Sequence, residues 1–292
     1  MSRGGSFDDS EELLNRLGLM TARARELAAT QRSRVELAVE LQRGMLPGDL
    51  PHPPGISVAV GYTPATHGLN VGGDWYDAFT LPDGRVAMSI GDVQGHNIKA
   101  AAFMGQVRVA LRALASVTGD PGELLRRTND LLISLGSDLF ATCTFLRLDP
   151  VTGILESARA GHIPHIWATA DGRSGVSGGD GGPPLGVLPG AEYPVSRHQL
   201  TLGGVFVLLT DGVVEGPSLN LDDGLRQVAR LAQLAVVAGV GIDGLAEAVM
   251  KMADTVGHED DAAVLVVGHD GGTRGRLLPN AETPQESATQ DP

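Results

Sequence analysis

Four aspartates share one local context. Asp74 lies in Gly72-Gly73-Asp74-Trp75-Tyr76-Asp77, and Asp92 in Ser89-Ile90-Gly91-Asp92-Val93-Gln94-Gly95-His96. Asp211 directly follows the apolar run 205–210 and precedes Gly212, while Asp260, with Asp261, immediately precedes the run 262–267. Carboxylates at strand ends, flanked by glycines that let backbones approach closely, can converge at one edge of a sheet. Gathered there without Lys or Arg they repel one another. Hard divalent cations such as Mg²⁺ or Mn²⁺, which prefer oxygen ligands, relieve that repulsion. Two such ions can share a hydroxide and orient a phosphate for in-line attack, so no side-chain nucleophile is required. Asp before Gly is also a common turn former, as Asp83-Gly84 and Asp171-Gly172 are read here. Residue types and spacing leave both readings of the four positions standing.

These positions need strands to hold them. Short β-like runs occur at 56–62, 85–90, 140–148, 163–168, 205–209 and 262–267, many separated by turns such as Pro82-Asp83-Gly84. Helical patterns occupy 98–116 and 121–135, the second opened by Asp120 as N-cap and Pro121 at the first helical position. Two more helices are expected over 222–237 and 243–256. The order is strands, two helices, strands, two helices and a last strand, which favours α+β layers over a doubly wound sheet. The segment 172–186 is rich in glycine and reads as an exposed loop.

Ahead of these elements, residues 1–10 read as a flexible start and 11–46 as a helical segment. Leu13, Leu17, Met20 and Leu27 form part of a stripe that Arg34 interrupts. That helix either packs on its own domain or serves as a dimerising or signal-receiving element. Pro47-Gly48 and Pro51-His52-Pro53-Pro54 end it. A single domain is expected over 47–270, followed by a polar, proline-containing tail over 271–292 read as disordered.

Bulk composition excludes several classes. With a formal net charge of −13 the chain lacks the basic surface of a nucleic-acid binder and is unsuited to an anionic membrane. No run of about 18 apolar residues predicts a membrane span, and the first residues lack a signal-peptide pattern, so the cytoplasm is the expected location. Cys143, the single cysteine, rules out an internal disulfide and lies in an apolar run, where a buried thiol is expected. His162 and His165 flank Pro164 and do not form a zinc helix motif. His96 is a candidate for positioning phosphate or protonating a leaving alkoxide, against a plain structural hydrogen bond.

Seven motifs in order, from Leu41 to Val267, resemble those of the bacterial PPM-type (protein phosphatase 2C-like) serine/threonine phosphatases of the SpoIIE and RsbU group. They are Leu41-Gln42-Arg43-Gly44-Met45-Leu46-Pro47, the Asp74 and Asp92 segments, Ala160-Gly161-His162, Pro184-Leu185-Gly186-Val187, Thr210-Asp211-Gly212-Val213-Val214-Glu215, and Asp260-Asp261. The resemblance implies an αββα sandwich of two antiparallel sheets with a centre of two Mn²⁺ or Mg²⁺ ions. By position it implies that Asp92 bridges both ions, that Asp211 and Asp260 complete one site, and that Asp74 and the Val93 carbonyl serve the other. Asp92 and Asp211 are thereby the expected catalytic pair, with Asp77 and Asp261 as further candidates. It implies hydrolysis of a phosphoserine or phosphothreonine monoester on a phosphorylated anti-sigma-factor antagonist of the STAS type. An upstream regulatory protein and a homodimer through the N-terminal helix are the other expected partners.

Departures from the family pattern are Asn97, Gly216 and Ala263; Asn97 is expected to be mild because Asn tolerates left-handed backbone. The rival expectation is a phosphatase-like binding module with weak or no catalysis. Replacement of the carboxylates would mark it, and all four matched positions are Asp.

Overall fold

The computed structural model describes residues 5–64, 72–95, 97–177, 179–256 and 261–270. Two five-stranded sheets, antiparallel throughout, lie face to face. Their strands are β1 (Ile56–Thr63), β2 (Trp75–Thr80), β3 (Val86–Val93), β4 (Ala141–Leu148), β5 (Ile154–Ala160), β6 (Ile166–Ala168), β7 (Ser174–Val176), β8 (Val195–Gln199), β9 (Val205–Leu209) and β10 (Ala262–His269). One sheet has the order β1-β10-β9-β6-β7 and the other β2-β3-β4-β5-β8. The helices are α1 (Gly5–Met45), α2 (Ile98–Ala115), α3 (Pro121–Ser134), α4 (Leu221–Ala238) and α5 (Ile242–Val256).

Period-2 alternation explains the four layers. On β10, Ala263, Leu265 and Val267 enter the core between the sheets, while Ala262, Val264 and Val266 pack under α4 and α5. On β3, Val86, Met88 and Ile90 face the other sheet, whereas Ala87 and Val93 face α2 and α3. Both faces of these central strands are apolar, which is why they read as continuous hydrophobic runs. Each fully buried Leu, Ile or Met contributes about 1.5–3 kcal/mol relative to exposure. The expected αββα sandwich is the observed one.

The helix caps follow the sequence. Asp120 accepts from the Glu123 amide at 2.8 Å, with Pro121 opening α3. Asn220 caps α4, which ends on Gly239 at φ +70°. Asn97 has φ −142° and its side chain accepts from the Lys99 and Ala100 amides. Its fitness is therefore that of an extended N-cap, not the left-handed tolerance expected of it.

The segment 172–186 is more than an exposed loop. It contains β7, and its end crosses back so that Gly182 bridges Ala160 and the buried Leu185 bridges Ala141. Helix α1 starts at Gly5, inside the stretch read as a flexible start, and the side chains over 15–33 are exposed, Leu19 and Met20 included. It meets the domain at its end: Met45 and Leu46 pack on the core beneath α2 and α3, with Met45 against Gly105. The tail over 271–292 lies outside the described residues.

Candidate active site at one end of the sandwich

Neighbouring strands of each sheet, β2 and β3 in one and β9 and β10 in the other, deliver their acidic residues to the same end. Asp74 immediately precedes β2, Asp92 is the penultimate residue of β3, Asp211 follows β9 in a single 3-10 turn (Asp211–Val213), and Asp261 immediately precedes β10. Asp92 shares the inter-sheet face of β3 with Ile90 and Met88, so its carboxylate sits at the mouth of the core rather than under α2. Burial is graded: Asp74 and Asp261 are buried, Asp92 is half-buried and Asp211 is exposed. The site is thus deep on one side and open to solvent on the other.

Glycines make the convergence possible. A Cβ on Gly72 would collide with the Asp261 carboxylate. One on Gly73 would stand 2.9 Å from Asp92 Oδ1 and collide with the Val93 carbonyl oxygen, and one on Gly212 would strike the Asp261 backbone. The Val93 amide donates to the Gly73 carbonyl at 3.2 Å, tying the Asp74 segment to the end of β3. Asp261 Oδ2 accepts from the Asp74 amide at 2.7 Å and from the Tyr62 hydroxyl at 3.1 Å. Thr210, fully buried, exchanges hydrogen bonds with Ala263 and so fixes the turn bearing Asp211 against the start of β10.

The electrostatics of Asp74 report what this crowding does. Its pKa is raised well above the ordinary carboxylate value, first by burial, then by the charges of Asp261, Asp92 and Asp211, with a hydrogen bond from Thr210 working against the shift. Its Oδ2 is buried and, among the described residues, has no hydrogen-bond partner. Among the described residues, the charges that raise its pKa are all carboxylates of the same cluster, Asp261, Asp92 and Asp211. A buried carboxylate oxygen with no donor is costly unless a cation meets it. The donor set is all oxygen, including the Val93 carbonyl, and suits a hard divalent ion. Among the described residues no three His, Cys, Asp or Glu side chains form a ready-made ligand set.

Asp260 and His96 lie outside the described residues. Asp77, a further candidate for the metal, is set apart. It projects to the other face of β2, where Arg108 Nε lies 3.0 Å and Arg112 Nη2 3.4 Å away, and Arg112 also stacks over the Phe79 ring at 4.5 Å. Asp77 therefore serves as the counter-charge of α2. Trp75 is fully buried against Gly91, packing beside the site. Cys143 is buried and its thiol is pushed far up by desolvation, so it is inert.

A model of the family described as stage II sporulation protein E (SpoIIE) matches residues 82–270. The chain belongs to this family. Phosphoserine phosphatase RsbU of Bacillus subtilis (strain 168) is 24% identical over 185 residues, 63% of this chain and 54% of that protein. A crystal structure of the RsbU and RsbW domains of Rv1364c from Mycobacterium tuberculosis superposes with TM-score 0.70 and 32% identity, covering 78% of this chain and 64% of that one. The catalytic domain of the serine/threonine phosphatase PstP, solved with two manganese ions, shares the fold at TM-score 0.55 and 15% identity, covering 73% of this chain and 97% of that one. The chain spans between a third and about half of the length of the curated relatives it matches.

A residue that motif reading left without a role is His162. It is buried between the sheets, its Nδ1 2.8 Å from Thr142 Oγ1 and its Nε2 3.1 Å from the Leu209 carbonyl oxygen. Its partners are 20 and 47 residues away, so no local sequence signal could have found them.

Proposed function

We propose that this SpoIIE-family chain is a metal-dependent protein phosphatase that hydrolyses a phosphoserine or phosphothreonine monoester. The observation that carries the reading is the buried Oδ2 of Asp74, which has no hydrogen-bond partner among the described residues and lies amid the carboxylates of Asp261, Asp92 and Asp211. Such a cluster stores repulsion that divalent cations relieve, and its all-oxygen chemistry fits Mn²⁺ or Mg²⁺. Asp74, Asp92, Asp211, Asp260 and the Val93 carbonyl are the residues that would hold two ions, with Asp92 expected to serve both. When bound, such a pair supplies a hydroxide at neutral pH and positive charge for the phosphoryl oxygens.

The chain's own residues then have distinct tasks. Asp261 holds the Asp74 segment through its amide, Tyr62 steadies Asp261, and Thr210 anchors the Asp211 turn. Exposed Asp211 marks the side from which a phosphorylated segment enters. Among the described residues, the side chains we place at this cluster include no cysteine or serine, which supports direct attack by water without a covalent phosphoenzyme.

The substrate we infer from family membership is a phosphorylated anti-sigma-factor antagonist of the STAS type, acting in cytoplasmic sigma-factor signalling. Among the described residues no helix is long and apolar enough to cross a membrane. Exposed α1 side chains, Leu17, Leu19, Met20 and Leu27 among them, support a role for this helix in homodimerisation or in receiving an upstream regulatory protein.

Phosphate release from p-nitrophenyl phosphate and from a phosphoserine STAS protein, in EDTA, Mg²⁺ and Mn²⁺, tests the reading. Metal-dependent turnover that Asp211→Ala removes is the expected result. Absence of turnover on both substrates, together with no metal binding by calorimetry, would leave a binding module. Removal of residues 1–40, which keeps Met45 and Leu46, is expected to change the rate or the mass in solution.

A further inference from the structure

We propose that His162 is a positioning residue: a neutral imidazole strut that sets the separation between the strand bearing Asp92 and the strand bearing Asp211. The proposal deepens the metal-dependent reading of this site and rests on it for its functional consequence. Asp92 and Asp211 belong to different sheets, and nothing in either ladder fixes the distance between sheets at their open end. The chain itself crosses from one sheet to the other between β5 and β6, and His162 lies in that crossing. Gly161 turns it with φ +64°, a left-handed conformation, at a point where a Cβ would come within 2.7 Å of the Pro184 ring. Arg159 Nη1 donates to the His162 carbonyl at 3.0 Å, holding the backbone of the turn.

The two ring contacts determine the tautomer. A carbonyl oxygen only accepts, so the proton is on Nε2, which donates to Leu209; Nδ1 then carries a lone pair and accepts from the Thr142 hydroxyl. One end of the ring thus grips β4 and the other β9. Thr142 is the register partner of Asp92 and shares its face, and Leu209 lies two residues before Asp211. The strut therefore joins the immediate neighbours of the two carboxylates that must serve a common pair of ions. Imidazole suits the task because its donor and acceptor point in opposite directions from a rigid ring. An apolar residue of similar volume would leave the Thr142 hydroxyl without its acceptor and the Leu209 carbonyl without its donor.

Three variants test this: His162→Leu, which removes both contacts; His162→Gln, whose amide can still donate to Leu209; and Thr142→Val, which removes the hydroxyl with little change of shape. Two readouts are taken: Mn²⁺ affinity by calorimetry, and amide hydrogen exchange of the metal-free protein. His162→Leu is expected to weaken Mn²⁺ binding by about 10–100-fold, as loss of an outer partner of a metal site does. It is expected to accelerate exchange at 91–94 and 209–214 more than elsewhere. His162→Gln should recover part of both losses and Thr142→Val should show part of both.

A folded His162→Leu protein with wild-type exchange at those amides and wild-type affinity overturns the proposal. If His162→Leu does not fold, wild-type values in both of the other variants overturn it. If the wild type binds no Mn²⁺, the metal reading of the site fails separately. The exchange rates then decide the strut alone, with unchanged rates in the variants overturning it.

Discussion

Asp74 and Asp77 stand three residues apart at the start of one strand, both almost fully buried, and they have opposite surroundings. Asp77 faces α2 and meets Arg108 and Arg112. Asp74 faces the gap between the sheets, where the charges acting on it are those of Asp261, Asp92 and Asp211. The first carboxylate is neutralised by the protein's own cations and so belongs to the architecture. For the second, the charges among the described residues are other carboxylates, which is why we propose it as a metal ligand. On that proposal counter-charge, not burial, separates a structural carboxylate from a ligand.

The comparison can be broken at several points. The largest effect is expected at the mouth of the cluster. Asp92→Asn removes the charge proposed to serve both metal positions and should cost several kcal/mol of transition-state stabilisation, more than about 1000-fold in phosphate release. Near-normal turnover would remove Asp92 from the site. On the structural side, Asp77→Asn should destabilise the fold by about 3–5 kcal/mol, the usual cost of leaving buried partners unpaired. Urea unfolding measures it, with Arg112, half exposed, able to recover part of the loss.

Asp74→Asn should do the reverse of Asp77→Asn in metal-free protein. A carboxyl whose pKa is raised on folding stabilises the fold below its unfolded pKa and loses that contribution as pH rises through the folded value. Above the unfolded pKa, folding must either keep this carboxylate charged among its neighbours or take up a proton, and both oppose folding, so the neutral amide should raise the melting temperature at neutral pH. The gain should shrink as pH falls towards the unfolded pKa. A lower melting temperature for the variant at neutral pH would contradict the environment described here.

A smaller effect is expected at the edge of the inter-sheet core, where His165 and His198 meet edge to face at 4.9 Å beside Phe206. Burial, then the charges of His198 and Arg159, lowers the His165 pKa to about 3. The unfolded chain binds this proton near pH 6.5 and the folded one does not, so stability falls as pH drops from about 6.5 towards 3. His165→Phe should flatten that acid limb in melting curves, and an unchanged slope would assign it to other groups. Smallest of all, Cys143→Ala should leave turnover unchanged, and a thiol reagent should label Cys143 only on unfolding. Rapid labelling of the native protein would place it nearer solvent than its burial indicates.

Strand β1 and the central strands β3, β4, β9 and β10 were legible because their runs are largely apolar and bounded by turn residues. Strands β2, β7 and β8 were harder for physical reasons. On β2 the alternation is broken by Asp77, whose apolar substitute is an ion pair with a helix some 30 residues on. Edge strand β8, Val195–Gln199, alternates between exposed and half-buried positions and has no apolar face to announce it. The three residues of β7 sit in a glycine-rich segment that composition alone assigns to a loop.

By itself, the sequence determined the four aspartates, their glycine neighbours and the strands that end near Asp92 and Asp211, because backbone freedom and hydrophobic periodicity are local properties. It also determined the helix caps, since Asp120 and Asn220 act on amides three residues ahead. Only the tertiary structure decided which acidic side chains converge. It separated Asp77 from Asp74, gave Asp261 the task of holding Asp74, and placed His162 between Thr142 and Leu209. Each of these depends on which of two faces a residue presents and on what the opposite sheet brings to meet it. That pairing of distant strands is a long-range event, and no window of neighbouring residues encodes it.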